Sequence, residues 1–294
     1  MTQDLHGKTM VVTGGTAGIG RETVLRLVGQ GADVLFVGRN QAKADAVLAE
    51  TMRLGGGEAT FLPADLSSLA DIRRVAAEIR ARLPKLDVLV NNAGAIFTRR
   101  HLSIDGIEMT FALNHLNYFL LTRELLPLLQ ANRTARIVNV ASAAHVGARV
   151  DFDDLQGART FRAWKAYGQS KLCNILFTYE LARRLQGSGV TANCLHPGFV
   201  DSEFGDNNSF LARLAIQVAK AVGAIGVRDG ARTSVYLATS PAVEGQSGGY
   251  YAKSRPAKST ARSHDQLAAN RLWKVSEAMV AAGAAGGLST VQSR

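Results

Sequence analysis

The sequence predicts an α/β protein: one domain built on a doubly wound parallel sheet of about seven strands, with helices on both faces. Three observations lead there. Short runs rich in Val, Leu and Ile alternate with helical patterns over the first two hundred residues, the order expected of right-handed βαβ units. The runs are continuously apolar rather than alternating, as strands buried on both faces are. A glycine-rich turn, Thr13-Gly14-Gly15-Thr16-Ala17-Gly18-Ile19-Gly20, joins the first strand to the first helix.

Taken in order, Lys8–Thr13 is the first strand and Ile19–Val28 the helix after it. Asp33–Gly38 is the second strand, and an Ala-rich helix from Gln41 stops at Gly55-Gly56-Gly57. Then come a strand at Glu58–Pro63, a helix over Leu69–Leu83 and a strand at Leu86–Val90. Two long helices, around Ile107–Gln130 and Trp164–Gln186, precede strands at Arg136–Val140 and Val190–Leu195. A last short strand covers Gly249–Ala252, and the segment Asp206–Ile225 interrupts the rhythm before it. No linker or internal repeat divides the chain, so residues 1–282 read as one domain. The Gly/Ser/Ala-rich stretch 283–294 reads as a disordered tail.

Composition fits a globular protein that buries one continuous core: 294 residues, 47% hydrophobic and 20% charged. The net charge is 34 − 24 = +10, which raises nucleic acid or an anionic membrane as partners. The cations are scattered, with no run longer than Arg99-Arg100 or Arg183-Arg184. A solvated basic surface is the simpler reading, and a salt-dependent DNA shift would revive the other. Cys173 and Cys194 lack CxxC spacing, and His101, His115 and His145 lie in different segments, so neither a disulfide framework nor a metal site is expected. With no signal pattern and no apolar run of membrane length, the expectation is a cytoplasmic protein without an integral membrane segment.

The glycine turn is where the chemistry begins. Gly14, Thr16, Gly18, Ile19 and Gly20 form a TGxxxGxG pattern between strand and helix. Such a turn lets the backbone approach a pyrophosphate at the positive helix N-terminus. By itself the string could be only a tight turn; its place after the first strand makes it a dinucleotide site. The second strand ends at Gly38-Arg39-Asn40. The carboxylate that would bind a ribose 2′-hydroxyl is missing there, and the Arg39 guanidinium suits a 2′-phosphate in charge and geometry. NADP(H) is therefore expected over NAD(H), the alternative being a solvated arginine. Asp65-Leu66 follows the third strand, where the carboxylate either accepts from the adenine amino group or caps the next helix. Asn92-Ala93-Gly94, after Asn91, either lines the cofactor and ties strands together or is simply a turn.

Tyr167-Gly168-Gln169-Ser170-Lys171 opens an apolar helical segment. Tyr and Lys four apart share one helix face, and an ammonium beside a phenol favours the phenolate. A bare YxxxK carries little weight. Its company carries more: Asn114 inside an apolar helix, Ser142 just after a buried strand, and Pro197-Gly198 at the end of another. Taken singly, Asn114 could be a core amide and Ser142 a turn cap. His145, three residues beyond Ser142, either touches substrate or has a structural or solvent-linked role, the second being favoured, and Cys173 is favoured as a core thiol.

In this order the motifs resemble the short-chain dehydrogenase/reductase family over roughly residues 5–280. The resemblance implies a single Rossmann-type domain. It implies Tyr167 as general acid/base, Lys171 as its modulator and ribose ligand, and Ser142 as the hydroxyl that orients a carbonyl. Asn114 would hold a water on its backbone that links Lys171 to a proton relay. The backbone of Pro197-Gly198-Phe199-Val200-Asp201-Ser202 would run along the nicotinamide carboxamide. The stretches FALNHLNYFLLT, VDFDDLQ and YGQSKLCNILFTYELARRLQGSGVTANCLHPG resemble the retinol dehydrogenase-like branch. Departures are Asn117 where that branch usually has Gly, Ala141 where it usually has the first of two serines, and the expected lack of the N-terminal membrane anchor frequent in that branch.

The expected activity is hydride transfer between NADP(H) and a lipophilic aldehyde, ketone or alcohol. Substrate choice is assigned to Ala143–Trp164 and Phe199–Val227, the latter holding the amphipathic stretch SFLARLAIQVAKAVGAIGV, which reads as a lid, a membrane-surface helix or plain core. The two long helices carry apolar surface beyond what one sheet face needs, and in the family such helices pair, so a homodimer or tetramer is expected. Rival readings are reduction of a C=C bond, tested on an enone, and a non-catalytic NADP sensor; sensors typically lose the Tyr or Lys retained here.

Overall fold

Residues 4–132, 134–198 and 226–289 are described by a computed structural model, with side chains as far as 282. The strands are β1 (Thr9–Thr13), β2 (Asp33–Gly38), β3 (Ala59–Pro63), β4 (Val88–Asn91), β5 (Arg136–Val140), β6 (Thr191–Leu195), β7 (Tyr250–Ala252) and β8 (Arg255–Pro256). They form one sheet in the order β3-β2-β1-β4-β5-β6-β7-β8. The first seven run parallel, in pairs such as Val11↔Leu35 and Val90↔Val138. Strand order reverses between β1 and β4, and ligands of open α/β sheets bind outside the carboxyl ends of the strands at such a point.

The eighth strand departs from the sequence expectation. It closes an antiparallel hairpin on β7 through Lys253 and Ser254, both at positive φ (50° and 56°). That backbone usually announces itself by Asn-Gly or Gly-Gly, and Lys-Ser gives no such signal.

The helices are α1 (Gly18–Val28), α2 (Gln41–Leu54), α3 (Leu69–Arg82), α4 (Asn117–Gln130), α5 (Ala163–Arg184), α6 (Val227–Thr239) and α7 (Gln266–Ser289). Successive strand residues point to opposite faces, so each strand feeds two cores. Val11, Leu35, Leu89 and Ile137 meet α3, α4, α5 and α7. Met10, Val34, Val88 and Val138 meet α1, α2 and α6.

Two further differences matter for function. The helix expected to run unbroken from Ile107 is interrupted: a π-helical turn, Ala112–Leu116, leads into α4 and carries Asn114. Such turns recur at functional sites. Helix α7 (Gln266–Ser289) has no counterpart among the elements expected from the sequence. It lies across apolar faces of α4 and α5. Trp273 packs between Phe119 (5.0 Å) and Phe177 (5.8 Å), and Ser276 Oγ meets His115 Nε2 at 2.9 Å. Among the described residues, α4 exposes no large apolar side chain and α5 only Trp164. No described helix is long and apolar enough to cross a membrane.

Candidate active site

The cofactor end is built where β1 and β4 separate. Thr13 Oγ1 accepts from the N–H groups of Asn92 (2.8 Å) and Ala93 (3.0 Å), and Asn92 Nδ2 donates to the Thr13 carbonyl (2.9 Å). The Asn92-Ala93-Gly94 segment thus stitches β4 to β1. Gly14 has φ +67°, and a Cβ on Gly20 would stand 2.1 Å from the Gly14 carbonyl oxygen. The turn therefore closes directly onto the first turn of α1, which only glycine permits. Ala17 at its N-cap offers no side-chain oxygen, and the first turn holds no acid. The N–H groups of Gly18, Ile19 and Gly20 are thereby left for an external anion, and a pyrophosphate fits.

Beyond the turn, Thr16 lies against Gly38, where a Cβ would be 2.7 Å from Thr16 Cγ2. The Arg39 side chain is 57% exposed, with Nη1 3.8 Å from Asp65 Oδ2. Asn40 caps α2 through Lys43 N–H (2.9 Å). Asp65 does not cap α3, correcting one of its two sequence readings. Its Oδ1 accepts from Ser67 N–H and Oγ (2.9 and 2.7 Å), and the cap is Ser68. Leu66 is buried beneath this turn.

The second end lies one strand over. Lys171 is 3% exposed, and its Nζ donates to the Val140 carbonyl at 3.1 Å. It stands 5.7 Å from the centre of the Tyr167 ring. The same carbonyl accepts from Tyr118 Oη (3.3 Å) and Asn174 Nδ2 (3.4 Å). Asn114 uses its whole amide: Oδ1 accepts from Ala95 N–H (2.8 Å), and Nδ2 donates to Ala95 O (2.9 Å) and Ser170 Oγ (3.0 Å). Gly94 passes between these groups; a Cβ there would lie 3.1 Å from Asn114 Oδ1 and 3.3 Å from Lys171 Nζ. Ser142 Oγ accepts from Ala144 N–H at 3.2 Å.

Burial pushes the Tyr167 phenol up to about 12, and its hydrogen bond with Ser142, which favours the phenolate, opposes this only in part. Burial alone lowers the Lys171 ammonium to about 7. The phenol is thus held protonated beside an amine poised to exchange a proton. Between about pH 7 and 10.5 the unfolded chain binds the proton that the folded chain has given up, so stability from this group rises with pH. Denaturant midpoints should therefore climb more steeply from pH 7 to 9 in the wild type than in Lys171→Met. Parallel slopes would contradict the assignment.

Tyr167, Lys171, Ser142 and Asn114 are thus brought together, with Gly94 between them and the glycine turn at the switch point. His145 and Cys173 are both buried. Pro197 and Gly198 follow β6, and Gly198 N–H donates to His196 Nδ1 at 3.0 Å. Val200, Ser202 and the segment 206–225 lie outside the described residues. Thr13, Tyr118, Ser170 and Asn174 were missed. A signal was present: Asn114, Tyr118 and Thr122, and Tyr167, Lys171, Asn174 and Thr178, form polar stripes at helical spacing in apolar surroundings. Thr122 and Thr178 bind the buried Asn91–Asn139 pair across β4 and β5 (3.0 and 2.9 Å).

A dinucleotide cleft ending in a phenol, a hydroxyl and a buried amine suits paired hydride and proton transfer: the class is a nicotinamide-dependent oxidoreductase. The profile described as short chain dehydrogenase matches residues 8–209. Retinol dehydrogenase 14 of Mus musculus is 38% identical over 289 residues, covering 94% of this chain and 86% of the relative. Retinol dehydrogenase 11 of Homo sapiens is 40% identical over 276 residues, again covering 94% and 86%. A solved uncharacterized protein from Mycobacterium paratuberculosis superposes with a TM-score of 0.77 at 31% identity, covering 95% of each chain. A short chain dehydrogenase from Burkholderia cenocepacia J2315, in complex with NADP, gives 0.67 at 26%, covering 84% of this chain and 96% of its own. The chain belongs to the short-chain dehydrogenase/reductase family, in its retinol dehydrogenase-like branch. It is accordingly an oxidoreductase that binds a nicotinamide cofactor and acts on small alcohol or carbonyl substrates.

Proposed function

We propose that the protein interconverts a lipophilic aldehyde or ketone and its alcohol with NADP(H), using Tyr167 as general acid/base. The observation that carries this reading is the Tyr167–Ser142–Lys171 cluster at the mouth of the dinucleotide cleft. The bound cofactor supplies or removes the hydride. Ser142, oriented by Ala144 N–H, holds the carbonyl oxygen together with Tyr167. Tyr167 gives its proton to the forming alkoxide, and Lys171 stabilises the phenolate that results. The Asn114 side chain is committed to Ala95 and Ser170; the water-holding role implied by the family resemblance falls to its main-chain carbonyl. Exposed Trp164, edge-on to Tyr167 at 6.1 Å, and exposed Val146 favour an apolar substrate.

Three features support NADP(H): no acid ends β2, Thr16 fills the space beside Gly38, and Arg39 is half-exposed with, among the described residues, a single ion pair at 3.8 Å. The test is a panel of carbonyls and alcohols followed by NADPH absorbance, run in parallel with NADH. Arg39→Ala should raise the KM for NADPH by roughly tenfold, one charge-assisted contact, and leave NADH little changed. Equal effects on both cofactors would remove Arg39 from the 2′-phosphate.

A further inference from the structure

The turn that carries Ser142 is held from outside by a late segment of the chain. Ala143–His145 form one 3₁₀ turn, capped by Ser142. His145 is 2% exposed. Its Nδ1 lies 2.8 Å from the Ser142 carbonyl oxygen, and its Nε2 lies 3.3 Å from the main-chain nitrogen of Thr260. An amide N–H can only donate, so Nε2 is the bare nitrogen and Nδ1 carries the hydrogen that goes to Ser142. Two residues after Thr260, Arg262 Nη1 donates to the carbonyls of Gly147 (3.2 Å) and Ala148 (3.1 Å). The Ser142–Ala148 loop is thus gripped at His145 by Thr260 and at its far end by Arg262.

The gripping segment has its own anchor. Ser259 Oγ meets Tyr179 Oη at 2.7 Å, and the His264 ring stacks on Tyr179 at 5.0 Å. Ser263 Oγ donates to the Thr260 carbonyl at 2.6 Å, which stiffens the segment between. Tyr179 stands on α5, the helix whose first turns carry Tyr167 and Lys171. A closed path therefore runs from Tyr167 along α5 to Tyr179, through Ser259 and Thr260 to His145, and back to Ser142.

We propose that His145 and Arg262 are positioning residues that set the spacing between the Ser142 hydroxyl and the Tyr167 phenol. They tie the Ser142 turn to the strap Ser259–His264, itself fastened to the helix of Tyr167. This rests on Ser142 and Tyr167 being the pair that receives the carbonyl oxygen. A hydroxyl and a phenol must both reach one oxygen, and a displacement near 1 Å costs on the order of a hundredfold in rate. His145 and Arg262 act through Ser142 and need touch neither substrate nor cofactor.

The test uses His145→Phe, which keeps a ring and removes both hydrogen bonds, and Arg262→Ala, with Arg262→Lys as the conservative variant. Each is made in the wild type and in a Ser142→Ala background. Both should lower kcat/KM for a carbonyl reduced by the wild type, by roughly ten- to a hundredfold, with NADPH binding unchanged. Arg262→Lys should recover part of the loss. With Ser142→Ala already present, neither should cost anything further, because residues acting through one group are not additive. Loss by the same factor in both backgrounds, or no loss in either, overturns the proposal. Amide hydrogen exchange of the chain by itself reads the clamp without turnover. Residues Ala144–Ala148 should exchange faster in Arg262→Ala while α5 keeps its protection; unchanged exchange overturns the clamp. A wild type that turns over no carbonyl or alcohol would instead sink the Ser142–Tyr167 reading.

Discussion

Tyr167→Phe is expected to lower kcat by about a thousandfold, the middle of the range for a positioned general acid/base, while NADPH binding stays intact. The prediction is clean because the change removes one oxygen and keeps the ring. That ring is 7% exposed, meets Trp164 edge-on and lies beneath Lys171 Nζ, so its packing survives. Removing a phenol held protonated by burial also ends its hydrogen bond with Ser142. Steady-state assays in both directions, with cofactor affinity read by NADPH fluorescence, check it. A variant that binds NADPH and turns over at near the wild-type rate would rule out Tyr167 as the proton donor.

Trp273→Ala should carry the largest stability cost, about 3–5 kcal/mol as for other buried aromatic truncations. Trp273 is 8% exposed between Phe119 and Phe177, with the Arg184 guanidinium 4.1 Å over its ring. Its loss opens a cavity and removes a cation–π contact worth about 0.5–2 kcal/mol. It also uncovers the faces of α4 and α5 that α7 now covers. Denaturant unfolding should show the midpoint fall, with Trp273→Phe recovering much of it. Size-exclusion chromatography should show larger species in the Ala variant than in the wild type. A cost below about 1 kcal/mol would mean that α7 is only loosely applied to the core, since buried aromatics do not come off so cheaply.

The parts of this protein legible in its sequence are those set over short distances. Asp33–Gly38 and Arg136–Val140 show their strand character in runs of β-branched and apolar residues, and the structure keeps those limits. The glycine turn reads from sterics, since Gly20 meets the Gly14 carbonyl within the same loop. Tyr167 and Lys171 read from helical spacing. Boundaries are less secure: the strand expected from Leu86 begins at Val88.

What the sequence by itself determined was the order of strands and helices, the glycine turn, the Tyr167–Lys171 spacing and, through its motifs, the family. Tertiary structure alone decided what depends on residues distant in the chain. The Val140 carbonyl gathers Tyr118, Lys171 and Asn174 from two helices. Helix α7 covers a face that looks unpartnered when α4 and α5 are read alone. Thr260 and Arg262 reach back more than a hundred residues to the Ser142 turn. The physical reason is that helical and strand periods are imposed by neighbours along the backbone. A buried polar group, by contrast, takes whatever partner the completed fold brings within hydrogen-bonding distance.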